Sequence, residues 1–212
     1  MGVAIRRAGE SDREYVVGLL DAAFMQDPVS SWVLPGDEYR LRTHGALMGA
    51  FFDIALDEGY VDITEDGAAV AMWWSVPAGG HGDDGVHEGE AEGAEDGPVL
   101  LRRAVDPDNE RVELIGRLTD AIHPTDRPHQ YLHLIAVHPD RQGEGLGTAL
   151  VSAVLDRCDR EGLHAYLEAS NARSRDLYTR LGFAFMGAAL DLPDGPRMWP
   201  MWREPRTAGA DG

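Results

Sequence analysis

VHPDRQGEGLGTAL, Val137 to Leu150, decides how this chain folds. An apolar run breaks at His138 and Pro139, passes glycines at 143, 145 and 147, and resumes at once with helical spacing. Upstream, YLHLIAV (Tyr131 to Val137) reads as a buried strand. Downstream, TALVSAVLDRCDREG fits a helix stopped at Gly162. Strand, glycine turn and helix in that order bring free backbone N–H groups and the positive end of a helix dipole to one point, which makes an anion site. The glycines permit positive φ angles and let a ligand approach the backbone closely. A pyrophosphate suits such a site, yet two familiar phosphate motifs do not fit. The P-loop ends in Gly-Lys-Ser/Thr and this chain has no lysine; the dinucleotide fingerprint needs a third glycine three residues after the second.

Working outward, VAIRRA (Val3 to Ala8) reads as a first strand and SDREYVVGLLDAAF as a helix capped by Ser11 or Asp12. DPVSSWVLPGD, with Pro28, Pro35 and Gly36, reads as a turn region, and a longer helix is expected from about Glu38 to Leu56. YVDITEDGAAVAMWWSV is a hairpin whose turn is Asp66-Gly67. Residues of about 79–97 carry almost no large apolar side chain and so bury too little surface to order, which predicts a mobile acidic loop. His81 and His87 within it lack the rigid frame a metal site needs. Helix is expected from about Pro98 to Ile122 with a break near Pro107, then a connector HPTDRPHQ. After the glycine turn and its helix come the strand HAYLEAS, the short helix NARSRDLYTRLG, and two last strands, FAFMGAALDL and RMWPMWRE.

Composition narrows the function classes. At 212 residues we expect one domain over 1–205, with a flexible tail over 206–212. No apolar run approaches the roughly 20 residues that cross a bilayer, and the N-terminus lacks the apolar segment of a secretory signal, so no membrane partner and a cytoplasmic location are expected. A net charge of -18, with all 19 basic residues arginine, argues against nucleic acid as a partner. Such a field attracts cations, amines among them. Cys158 stands alone, so neither a disulfide nor a zinc cluster is expected, and no metal is assigned.

RQGEGLG resembles the Gln/Arg-x-x-Gly-x-Gly/Ala loop of the GNAT family N-acetyltransferases, with Gln142, Gly145 and Gly147 in the named positions. SNARSRDLYTRLGF is similar to that family's second signature, in which an asparagine (Asn171) is followed seven residues later by tyrosine (Tyr178), then by Leu181, Gly182 and Phe183. Ser174 stands where the family often has alanine. Within the family, the hairpin, YLEAS and DGPRMWPMWREP resemble the puromycin N-acetyltransferase-like bacterial enzymes. The resemblance implies an α/β (α+β) GNAT fold: a mixed, mostly antiparallel sheet of six to seven strands, splayed between the fourth and fifth and flanked by helices. It also implies acetyl-CoA as cosubstrate, without a metal, and a small-molecule amine as partner of a monomer or homodimer.

What the resemblance implies for individual residues is as follows. Pantetheine would lie in the splay against backbone of Ile135, Ala136 and Val137, with the pyrophosphate over Arg141, Gln142, Gly143, Gly145, Leu146, Gly147 and Thr148. Asn171 would hold the pantetheine amide, though it is also a good N-cap. Tyr178 would be the acid for the departing thiolate, or else a packing aromatic. For the base, Glu168 on an apolar strand competes with His133, His129 and a water relay, and it also reads as a structural carboxylate. Phe24, Trp32, Tyr39 and Trp73 are candidate acceptor-site aromatics, and Asp27 and Asp37 candidate partners for the ammonium. A protein or peptide acetyltransferase and a noncatalytic acyl-CoA sensor are the alternative functions.

Overall fold

Strand β3 (Ala69–Val76) shows how the chain builds its two cores. Val70, Met72, Trp74 and Val76 pack into one apolar cluster and Ala69, Ala71 and Trp73 into another, on opposite sides of the sheet. A strand buried on both faces reads as a continuous apolar run, as AVAMWWSV does. The structure is a computed structural model and describes residues 2–79 and 96–206; the expected acidic loop and the tail lie almost wholly outside the described residues, as do His81 and His87.

The other strands are β1 (Ile5–Arg7), β2 (Tyr60–Thr64), β4 (His129–Val137), β5 (His164–Ala169), β6 (Ala184–Phe185), β7 (Leu190–Asp191) and β8 (Arg197–Arg203). The sheet runs β1-β2-β3-β4-β5-β8-β6, with β7 on β8, and every pairing is antiparallel except β4 with β5. Among the described residues there are thus eight strands, because FAFMGAALDL divides into β6 and β7 on either side of Gly187, whose φ is +91°. The β2–β3 turn is the expected Asp-Gly turn, with Gly67 at φ +74° and its N–H donating to the Thr64 carbonyl.

Helices α1 (Arg13–Phe24), α2 (Pro28–Val33), α3 (Asp37–Glu58), α4 (Gly97–Val105) and α5 (Glu110–Asp120) cover the first face. Helices α6 (Leu146–Glu161) and α7 (Ala172–Arg180) cover the second. DPVSSWVLPGD is therefore not simply a turn region: it contains α2. The Asp27 carboxylate accepts from the N–H groups of Val29 (2.9 Å) and Ser30 (3.4 Å), and Pro28 starts the helix. Proline suits a first helical turn because its missing N–H has no partner there anyway, so the same residue that signals a turn also signals a start.

The feature that positions the site is in β4. Its register against β3 pairs Leu132 with Trp73 and Leu134 with Met72, leaving His133 as an extra residue, a β-bulge. The bulge reverses the alternation: Leu132 packs into the second core, while Leu134 and Ala136 pack into the first. It also bends the strand away from β5. Pairing of β4 with β5 runs from His129↔His164 to Leu132↔Leu167 and stops there, so His133–Val137 present an unpaired backbone edge. This is the expected splay, and β5 meanwhile continues to pair with β8 through Ala169.

Candidate active site

The glycine turn forms where β4 ends. Gly143 (φ +90°) and Gly145 (φ +82°) both lie in the left-handed region, with open space where a side chain would stand. Gly145 is the N-cap of α6 and offers no side-chain oxygen, so the N–H groups of the first turn are not capped from within. Gly147 differs from them: it lies inside α6 without a positive φ, and a Cβ there would make ordinary van der Waals contact with Val137 Cγ2 (3.4 Å) and Ile135 Cδ1 (3.7 Å) of β4. The expected positive φ is thus found at Gly143 and Gly145 and not at Gly147.

A cavity of about 570 Å³ opens along the splay. Its wall includes Ile135, Ala136, Val137, Gln142, Gly143, Gly145, Leu146, Gly147 and Thr148 from the strand edge and turn, and Glu168, Asn171 and Tyr178 from β5 and α7. Of the residues expected to hold acetyl-CoA, Arg141 alone is not in this wall. Its guanidinium is bonded to Glu144 (2.7 Å) and reaches Asp66 (3.4 Å).

Glu168 lies one residue past the last β4–β5 pair. Its Oε2 accepts a hydrogen bond from the Tyr131 hydroxyl at 2.9 Å, while Oε1 is buried without a partner. Burial raises its pKa to about 7, offset in part by the nearby hydroxyls of Tyr166 and Tyr131. The same Tyr131 hydroxyl is 3.1 Å from His133 Nδ1. His133, edge-on to Phe51 and Trp74, is pushed by burial down to about 4 and so is neutral at pH 7. His129 is buried below the splay, with Nδ1 bonded to the Arg127 carbonyl and Nε2 2.9 Å from His123 Nε2, and it is not in the cavity wall. Of the candidate bases, Glu168 is the one that combines a place in the cavity wall with a pKa near neutrality.

Tyr178 sits edge-to-face with Phe183 at 5.9 Å, and burial pushes its hydroxyl well above the usual phenol range, so it is protonated at pH 7. Asn171 caps α7: its Oδ1 accepts from Ser174 N–H at 2.9 Å, and its Nδ2 donates to Ser170 Oγ at 3.3 Å. Both its readings survive, since only the Nδ2 side has capacity left.

The acceptor end is built by α1, α2 and α3. Phe24 and Asp27 are in the wall, as expected. Trp32, Tyr39 and Trp73 are not: the Trp32 indole donates to the Pro193 carbonyl (2.8 Å), the Tyr39 hydroxyl donates to Asp106 (2.6 Å), and Trp73 is sealed in the second core. Asp37 pairs with Arg40. Three residues were missed. Tyr131 bridges Glu168 to His133, Ser170 Oγ donates to Asp27 Oδ2 (2.8 Å) across the mouth between β5 and α2, and Ser30 lines the wall. No local signal marked any of the three.

A family model described as the acetyltransferase (GNAT) family matches residues 50–183. The mycothiol acetyltransferase of Paenarthrobacter aurescens (strain TC1) is 37% identical over 81 residues, 35% of this chain and 25% of that protein. The L-amino acid N-acyltransferase MnaT of Escherichia coli (strain K12) is 40% identical over 58 residues, 26% of this chain and 34% of that one. The chain thus spans a quarter to a third of the length of these curated relatives. A Corynebacterium glutamicum structure described as histone acetyltransferase HPA2 and related acetyltransferase superposes with a TM-score of 0.64 at 24% identity, covering 99% of this chain and all of that one, a likeness of fold.

Proposed function

The chain belongs to the acetyltransferase (GNAT) family, and from that premise we propose that it transfers the acetyl group of acetyl-CoA to the primary amine of a small molecule by direct attack on the thioester. The observation that carries this reading is Glu168, a carboxyl bonded to Tyr131 and raised by burial to a pKa of about 7, in the wall of the same cavity as the glycine turn and Tyr178. The unpaired edge of β4 at His133–Val137 offers backbone groups to a pantetheine arm, and the uncapped first turn of α6 offers N–H groups to a pyrophosphate. An N–H within Ile135–Val137 would also receive the charge that develops on the thioester oxygen.

The residues divide two proton transfers between them. Glu168 takes a proton from the ammonium, and the freed nitrogen attacks the acetyl carbonyl carbon. As the C–S bond breaks, Tyr178 protonates the thiolate, its phenolate takes up the second proton of the acylated nitrogen, and Glu168 returns its proton to bulk water. A carboxyl with a pKa of about 7 suits the first role because it is partly ionised at neutral pH and basic enough to accept. An antibiotic amine of the puromycin kind is one acceptor of the small-molecule class.

The test mixes the protein with acetyl-CoA and a panel of amines, puromycin included, and follows free thiol, with Tyr178→Phe and Glu168→Gln alongside. Amine-dependent release that falls in both variants supports the transferase. Tight acetyl-CoA binding with no release for any amine overturns it in favour of a sensor.

A further inference from the structure

The cavity has two unlike sides. On the side of the second face, the glycine turn and α7 bring Gln142, Asn171, Arg173 and Arg180 to the wall, and Arg173 leans on Gln142 at 3.5 Å. On the side of the first face, five helices each bring an apolar side chain: Phe24 from α1, Val33 from α2, Phe51 from α3, Leu101 from α4 and Ile115 from α5. Among the described residues these helices put no charged side chain in the wall; Asp27, the cap before α2, is the one carboxylate on this side. The polar side chains here already have partners. Thr119 Oγ1 donates to the carbonyls of Ile115 (3.0 Å) and Gly116 (2.9 Å) in its own helix, Ser30 Oγ is 3.1 Å from His44 Nε2, and Asp27 accepts from the N–H groups of Val29 and Ser30 and from Ser170 Oγ. Phe24, Phe51 and Ile115, by contrast, are only half-buried, so apolar surface is left open inside the concavity. Phe51 also packs edge-on against His133 at 4.9 Å, and His133 shares the Tyr131 hydroxyl with Glu168. An amine whose nitrogen reaches Glu168 therefore has its body beside Phe51.

We propose that the acceptor is a primary amine on an apolar body, alkyl or aryl, and that Phe51 is a specificity-determining residue that packs against that body. The inference rests on the transferase reading and names its substrate class. Water leaves both apolar surfaces when the body enters, which favours binding in proportion to the area covered. Hydroxyls on the body would lose their water and meet polar groups that are already engaged, a loss with no compensating bond. A second ammonium would find only Asp27.

The experiment follows free thiol with n-alkylamines from ethylamine to octylamine and with phenethylamine, set against glucosamine as a hydroxylated body and putrescine as a doubly charged one. kcat/KM should rise by about two- to fourfold per methylene, mainly through KM, until the cavity is filled. Glucosamine should fall on the order of 100-fold below hexylamine. Phe51→Ala should cost about tenfold for hexylamine and phenethylamine and under about twofold for ethylamine, with the KM for acetyl-CoA unchanged; Phe51→Leu, which keeps a large apolar side chain, should stay close to the parent. A purely structural role for Phe51 would lower every amine by the same factor. A kcat/KM that does not depend on chain length, glucosamine ahead of hexylamine, putrescine ahead of butylamine, or an equal loss for every amine in Phe51→Ala overturns the proposal. If no amine releases thiol, the transferase reading has failed, and calorimetric binding of ethylamine, hexylamine and glucosamine then decides this one by the same order.

Discussion

The glycine turn and the acceptor wall share one cavity but are made of different things. The turn is backbone: Gly143 and Gly145 free it of side chains, and residues adjacent in sequence supply every part of it. The wall is side chain: Asp27 and Ser30 from α2 and its cap, Tyr131 from β4 and Glu168 from β5 gain their properties from burial and from one another. The difference suggests that a shared cosubstrate is held by what any sequence with the right local pattern can make, while the chemistry and choice of acceptor depend on contacts between distant segments.

The strongest way to sharpen that contrast is Glu168→Gln. Loss of the base should lower kcat by about 10²- to 10⁴-fold while leaving acetyl-CoA binding intact. Stability should move the other way. A raised carboxyl pKa means that the folded state holds its proton more tightly, so stability is greatest below about 4.5 and is lost as pH rises through about 7. The variant should therefore unfold at higher temperature than the parent at pH 8, by an increment on the order of 2 kcal/mol, and the two should converge at pH 4. In the parent, kcat/KM should climb tenfold per pH unit below about 7 and flatten above it; a profile flat from pH 5.5 to 8.5 would remove Glu168 from the role.

Tyr178→Phe should cost about 10²-fold in kcat with little change in melting temperature, since the packing against Phe183 survives. A large loss of stability with unchanged turnover would return Tyr178 to the core. On the turn, Gly145→Val forces a β-branched residue into the left-handed region, at a strain of about 1–3 kcal/mol, and should raise the KM for acetyl-CoA by about tenfold with a smaller effect on the amine. Gly147→Ala is the smallest expected change, under about threefold, because its Cβ makes only close van der Waals contact with Val137. If Gly147→Ala proved as damaging as Gly145→Val, the division between the positive-φ glycines and Gly147 would be wrong.

Tyr131 and Trp73 show where reading the sequence succeeds and fails. Both sit in apolar strands and both are aromatic, yet one is bonded to Glu168 and the other is sealed under α6. No local pattern separates them, because the bulge at His133 decides which face each β4 residue takes, and a bulge is a property of two strands in register. In the same way α2 was hidden inside DPVSSWVLPGD, since a helix of six residues carries too short a period to register against its prolines.

By itself the sequence determined the order of most elements, the glycine turn, the Asp66-Gly67 hairpin and the two signatures that point to the family, because each depends on φ, ψ and side-chain spacing within one short segment. Only the tertiary structure decided that β4 parts from β5 after Leu132, that Tyr131 bonds Glu168, and that His44 is buried between Asp21 and Ser30. Those properties are set by desolvation and by hydrogen-bond partners far away in the chain, and burial exists only once the fold has closed.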